Sequence, residues 1–82
     1  MRMNLNVTYN DGTGADVIVS APDLVAFERH FNVSMAVFAS DSRIEHILWI
    51  AWHTLKRHGK TTQEFDPWME TVDQVSFGDS PQ

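Results

Sequence analysis

The first twenty residues alternate. Met3, Leu5, Val7 and Tyr9 fall on one side of an extended segment, and Arg2, Asn4, Asn6 and Thr8 on the other. A period of two marks a half-buried strand. Asn10-Asp11-Gly12-Thr13-Gly14 follows, rich in residues that tolerate the positive φ of hairpin turns. Ala15, Val17 and Val19 then alternate with Asp16, Ile18 and Ser20, so residues 2–20 read as a β-hairpin. From there the period changes. Pro22 stands where a helix begins, Ser20 and Asp23 have capping-box spacing, and Leu24, Phe27 and Phe31 recur at helical intervals. The spacing predicts a short helix over 22–31, ended by Asn32. Residues 33–39 are apolar and read as a packed connector or a single helical turn.

A longer helix is predicted over 42–58. Ser42 and Glu45 form a capping box, with Asp41 as the alternative cap, and Ile44, Ile47, Leu48, Ala51 and Leu55 trace an apolar stripe. Lys56, Arg57 and His58 before Gly59 are C-terminal chemistry. Thr61 with Glu64, and Asp66 before Pro67, announce a last helix, whose stripe of Trp68, Met69, Val72 and Val75 carries it to about residue 75. The order β-β-α-α-α predicts an α+β fold: an N-terminal β-hairpin followed by three helices sharing one small core. Residues 1–77 form a single domain in this reading, and 78–82 (Gly-Asp-Ser-Pro-Gln) a flexible tail. Two strands alone are marginal in water, so the helices must cover the hairpin, and its outer edges stay open to another chain.

Composition narrows the function classes. In 82 residues there is no cysteine, which excludes disulfides and thiolate metal sites. Six Lys+Arg against eleven Asp+Glu give a net charge of −5, which argues against a general phosphate-binding surface. The excess sits in residues 61–82, where Glu64, Asp66, Glu70, Asp73 and Asp79 meet no Lys or Arg. That stretch reads as a solvated acidic face or as a contact for a basic partner. The longest apolar run, Ile47–Trp52, is far short of the roughly 20 residues of a membrane span. With no export signal either, a cytoplasmic protein is expected.

Catalytic and cofactor signatures are missing. His46 and His53 are seven positions apart, whereas a helix-borne metal site wants three or four, so no metal and no cofactor are expected. Asp-Gly-Thr-Gly at 11–14 is a hairpin turn and has neither nucleotide-loop nor Walker spacing. The carboxylates Asp23 and Glu28, or Glu70 and Asp73, are expected on exposed helix faces. Lys56, Arg57 and Lys60 read as partners of a helix C-terminus, with a helix-turn-helix contact as the alternative. What stands out is the back of the long helix. With its stripe turned inward, Trp52 lies at the border, and Trp49 and Ile50 point away together with His46 and His53. Either the hairpin and the last helix sandwich this helix, or Trp49 and Ile50 form an exposed contact patch.

Three segments carry a resemblance. Asp23-Leu24-Val25-Ala26-Phe27-Glu28-Arg29, then Leu48-Trp49-Ile50-Ala51-Trp52-His53-Thr54-Leu55-Lys56-Arg57-His58-Gly59, then Glu64-Phe65-Asp66-Pro67-Trp68-Met69-Glu70-Thr71-Val72 are similar to small proteins of tailed actinobacterial phages, usually regarded as tail assembly chaperones. The resemblance spans roughly residues 3–75 and is one of packing and capping residues. It implies a non-catalytic, self-associating protein of the host cytoplasm. Its partners would be the helical tape measure protein, which it keeps soluble, and the tail tube protein assembling around it. Trp49, Ile50, Trp52, His53 and Trp68 are the candidate partner-binding residues, with an apolar helix laid into a groove. No nucleic acid, membrane or small-molecule substrate is expected. A structural virion component and a small helix-turn-helix regulator are the other readings.

Overall fold

The computed structural model describes residues 3–34 and 43–77. The elements run β1 (Met3–Tyr9), β2 (Gly14–Val19), α1 (Ala21–Phe31), α2 (Ile44–Arg57), α3 (Phe65–Met69) and β3 (Val72–Phe77). The α+β class is as expected, with the hairpin register pairing Leu5 with Val17 and Val7 with Ala15. The turn forms for the reason the sequence suggests. Gly12 takes a φ of 91°, and the Asp11 carboxylate accepts both the Thr13 amide (2.9 Å) and hydroxyl (2.6 Å). The expected connector lies outside the described residues beyond Ser34. So do the Asp41 or Ser42 cap and the 78–82 tail.

The chain end differs from expectation. The last helix stops at Met69, and Val72–Phe77 returns as a third strand, giving the antiparallel order β2-β1-β3. The stripe of Trp68, Met69, Val72 and Val75 predicts helix to about residue 75, and its last step, from Val72 to Val75, is three residues. That step is a β-bulge: Val75 faces Val7, Gln74 faces Thr8, and Val72 faces Tyr9, leaving Asp73 as the extra residue. A bulge puts two residues opposite one and shifts the side-chain period locally from two to three. Hence β1, not the hairpin edge, is central. Asn10 fastens the new strand, its amide N–H reaching the Thr71 carbonyl (2.9 Å) and its side-chain amide that of Glu70 (2.9 Å).

The helices among the described residues all cover one face of the sheet. Leu5, Val7, Val17 and Val19 from the strands meet Leu24 and Phe27 of α1, Ile50, Ala51 and Leu55 of α2, and Trp68 of α3. The opposite face carries Asn4, Asn6, Thr8 and Asp16, all exposed. α2 has the expected extent but is rotated about its axis. Ile44, assigned to the inward stripe, is 66% exposed, while Trp49 and Ile50, assigned to the outside, are 7% and 0% exposed. The inward line is His46, Trp49, Ile50, Ala51, Thr54 and Leu55, two of them polar. Thr54 turns its hydroxyl to the Ile50 carbonyl (2.9 Å), and the His46 ring lies edge-on against Phe27 (5.1 Å between centroids). Gly59 (φ 76°) closes α2 in a Schellman motif, with the Lys60 and Gly59 amides bonded to the Leu55 and Lys56 carbonyls. At α3 the N-cap is Glu64 and not Asp66, which places Pro67 in the first turn.

Candidate functional site

The site is built on a buried carboxylate. Asp23 occupies the third position of α1, where its Oδ2 accepts the Ser20 amide (3.2 Å), the N3 half of a capping box. Capping residues are normally solvated, and Asp23 was expected on an exposed face. Instead it is 0% exposed, because α2 lies across the start of α1. Arg57, in the last turn of α2, donates its Nε–H to Oδ1 (2.8 Å) and an Nη2–H to Oδ2 (2.9 Å), and Nη2 also donates to Ser20 Oγ (3.1 Å). His53 places Nδ1 2.9 Å from Asp23 Oδ1. Burial pushes the Asp23 carboxyl pKa up. The Arg57 guanidinium, the Ser20 amide and His53 outweigh it and hold the pKa at about 2. Arg57 is correspondingly raised by the Asp23 carboxylate.

This ion pair fixes the aromatic side chains above it. The His53 ring stacks on Trp49 (5.1 Å, 19°), and so does His30 from the end of α1 (4.6 Å, 16°). Trp49 packs further on Phe31 and Trp52, and Trp52 on Phe65 of α3 (5.7 Å). Trp52 Nε1–H donates to the Gln63 carbonyl (2.9 Å), holding the α2–α3 connection against α2. Between the end of α1, one side of α2 and the start of α3 the fold leaves an open groove of about 400 Å³. Trp49, Trp52 and Phe65 supply its aromatic walls, and Glu45, Glu64 and Asp66 its rim. His30 and Pro67 complete the lining.

The five residues proposed for partner contact separate. Trp49 and Ile50 are buried, so the exposed Trp49/Ile50 patch is not formed: the rotation of α2 turns both into the core. Trp68 is also core (1% exposed), its ring edge-on to Tyr9 and its Nε1–H toward the Tyr9 hydroxyl (3.3 Å). Trp52 and His53 are half-buried, and of the five only Trp52 and the edge of Trp49 line the groove. Sequence reasoning missed Phe65, His30, Asp23 and the grouping of Glu45, Glu64 and Asp66. A signal was present: the acidic residues that it assigned to helix starts lie at the starts of two helices sharing one groove.

The basic cluster disperses as well. Arg57 is taken by Asp23, and Lys56 bonds Glu64 (3.2 Å) while lying 5.2 Å from the centroid of the Trp52 ring. Among the described residues no group of three or more His, Asp or Glu is placed to hold a metal ion, and no helix is long and apolar enough to cross a membrane. Compared with family models, with curated proteins and with solved structures, the chain matches none.

Proposed function

We propose that this chain is a non-catalytic binding module that acts as a tail assembly chaperone, holding a helical segment of a tape measure protein while tail tube subunits assemble. The observation that carries the reading is the groove between α1, α2 and α3, where Trp52 and Phe65 remain half-exposed beside a fully packed core. Aromatic residues in a concave surface suit a partner helix that presents apolar side chains at helical spacing. The three-segment resemblance supplies the tape measure protein as that partner, and Trp52 and Phe65 each lie in a resembling segment. Release at the end of assembly suits a small contact area. Self-association belongs to the same reading: β2 and β3 each have an outer edge without a strand partner among the described residues.

Coexpression tests it. A tape measure protein of a tailed actinobacterial phage should stay soluble when coexpressed with the parent chain and precipitate with Trp52→Ala or Phe65→Ala, each variant checked for a native circular dichroism spectrum. A tape measure protein left insoluble by the parent chain, or equally soluble with the folded variants, would overturn the proposal.

A further inference from the structure

The groove has a chemical bias that a purely apolar partner helix does not use. Its walls are the faces and edges of Trp52, Phe65 and Trp49, and its rim carries Glu45, Glu64 and Asp66. Indole faces attract cations through their quadrupole, and carboxylates beside them add charge and directed hydrogen bonds. The chain demonstrates the combination on itself: the Lys56 ammonium lies 5.2 Å from the Trp52 ring centroid and donates to Glu64 at 3.2 Å. Glu45 and Asp66 form no ion pair among the described residues. Both are exposed, so two rim carboxylates face the groove without a cation.

We infer that the groove recognises an arginine side chain presented by the partner protein, its guanidinium lying against Trp52 and its N–H groups bonded to Glu45 and Asp66. Arginine fits better than lysine here. Its planar guanidinium is weakly hydrated, stacks on aromatic rings and pairs with carboxylates through two parallel hydrogen bonds. The volume of about 400 Å³ also exceeds what one ammonium group fills. The net charge of −5 draws a basic segment toward the chain from a distance. This inference rests on the groove being the partner-binding surface and adds the feature the partner must present.

The test titrates acetylated tetra-arginine amide into the full chain and follows the indole N–H resonances by NMR. The Trp52 indole should shift saturably while that of Trp68 stays in place. Tetra-lysine should bind at least three-fold more weakly. Glu45→Gln with Asp66→Asn should weaken tetra-arginine binding at least ten-fold. Asp16→Asn with Glu70→Gln, which removes the same charge elsewhere, should weaken it less than two-fold. An unmoved Trp52 resonance in the folded chain, or equal weakening by the two double variants, would overturn the inference. So would a self-associating chain that Glu45→Gln with Asp66→Asn makes monomeric, since the occupant would then be a second copy. If tetra-arginine fails while the tape measure protein is still kept soluble, the arginine contact falls and the chaperone reading stands. If Trp52→Ala leaves that solubility unchanged while tetra-arginine binds, the reverse holds.

Discussion

Arg57→Ala should remove a large share of the folding free energy. The substitution leaves a carboxylate that is 0% exposed and deletes two of its charge-assisted hydrogen bonds, at 2.8 and 2.9 Å. Breaking a buried pair by removing one partner costs about 3–5 kcal/mol. Arg57 itself is one-third exposed, and the Ser20 amide and His53 remain on Asp23, which places the loss below that range, about 2 kcal/mol. An 82-residue domain is stable by only about 4–12 kcal/mol, so the midpoint of thermal unfolding should fall by about 8–16 °C. Asp23→Asn supplies the matching pH signature. The carboxyl is held at about 2 in the fold against 3.8 in an unconstrained chain, a difference worth about 2.5 kcal/mol. Because the folded pKa is the lower one, the contribution is complete above about pH 5 and is lost as pH falls through 3.8 toward 2. Urea unfolding followed by tryptophan fluorescence at pH 7, 5, 4, 3 and 2 measures both effects. The stability difference between the parent chain and Asp23→Asn should shrink by about 2 kcal/mol from pH 5 to pH 2, because a folded carboxyl with a pKa of about 2 is still half ionised there. A difference that stays flat with pH, or an Arg57→Ala chain within about 0.5 kcal/mol of the parent, would refute the buried ion pair, since such losses are those of surface changes.

Other substitutions probe the remaining features. Trp68→Ala, at a position 1% exposed, should cost about 3–5 kcal/mol in urea denaturation, whereas a surface contact residue would cost almost nothing. The amides of β3 that bond to β1 should show clear hydrogen-exchange protection while those on its outer edge exchange fast, and exchange of all of them at the rate of a free peptide would remove β3 from the sheet. Gly12→Ala forces a side chain into a φ of 91° and should lower stability by about 1–2 kcal/mol, read from the shift in urea midpoint. Asn10→Ala removes the 2.9 Å bond to the Glu70 carbonyl at an exposed site, so a loss of about 0.5–1.5 kcal/mol is expected, with exchange speeding up first at the β3 end.

How much of this was legible depends on how local each cause is. The hairpin is written in a strict alternation and in Asn10-Asp11-Gly12, and α1 in Pro22 and the Leu24–Phe27–Phe31 spacing, because these causes act over a few residues. The span of α2 was legible from Gly59, but its orientation was not. Apolar residues surround the helix, and the deciding side chains are His46 and Thr54, whose burial needs the Phe27 ring and the Ile50 carbonyl. β3 was hidden by its own bulge, which converts Val72 and Val75 from a strand period into one that matches a helix. Asp23 is the plainest case of non-local control. Its partner is 34 residues away, so a residue that reads as a solvated cap became the most deeply placed charge in the described structure.

The two walls of the groove are held differently, and this bears on reversible binding. On the α1–α2 side, Trp49 is stacked by two imidazoles, one of which is tied to a buried carboxylate that is itself held by Arg57 and the Ser20 amide. Moving that wall would expose core and break a satisfied charge network, so it behaves as a fixed template. The other wall is α3, a helix of only five residues. It is joined to α2 by the Trp52–Gln63 bond and the solvent-exposed Lys56–Glu64 pair, and to the hairpin by Trp68 and Asn10. Bonds exposed to water contribute little each, and a one-turn helix has almost no stability of its own. Opening at the Gln63–Glu64 edge therefore costs far less than displacing Trp49, while Trp68 keeps α3 attached to the sheet. A partner entering the groove would meet a rigid aromatic face on one side and an adjustable acidic lip on the other. Under the proposed function, that asymmetry would let side chains of different length be held on one fixed surface, and the weak lip would set release without disturbing the core.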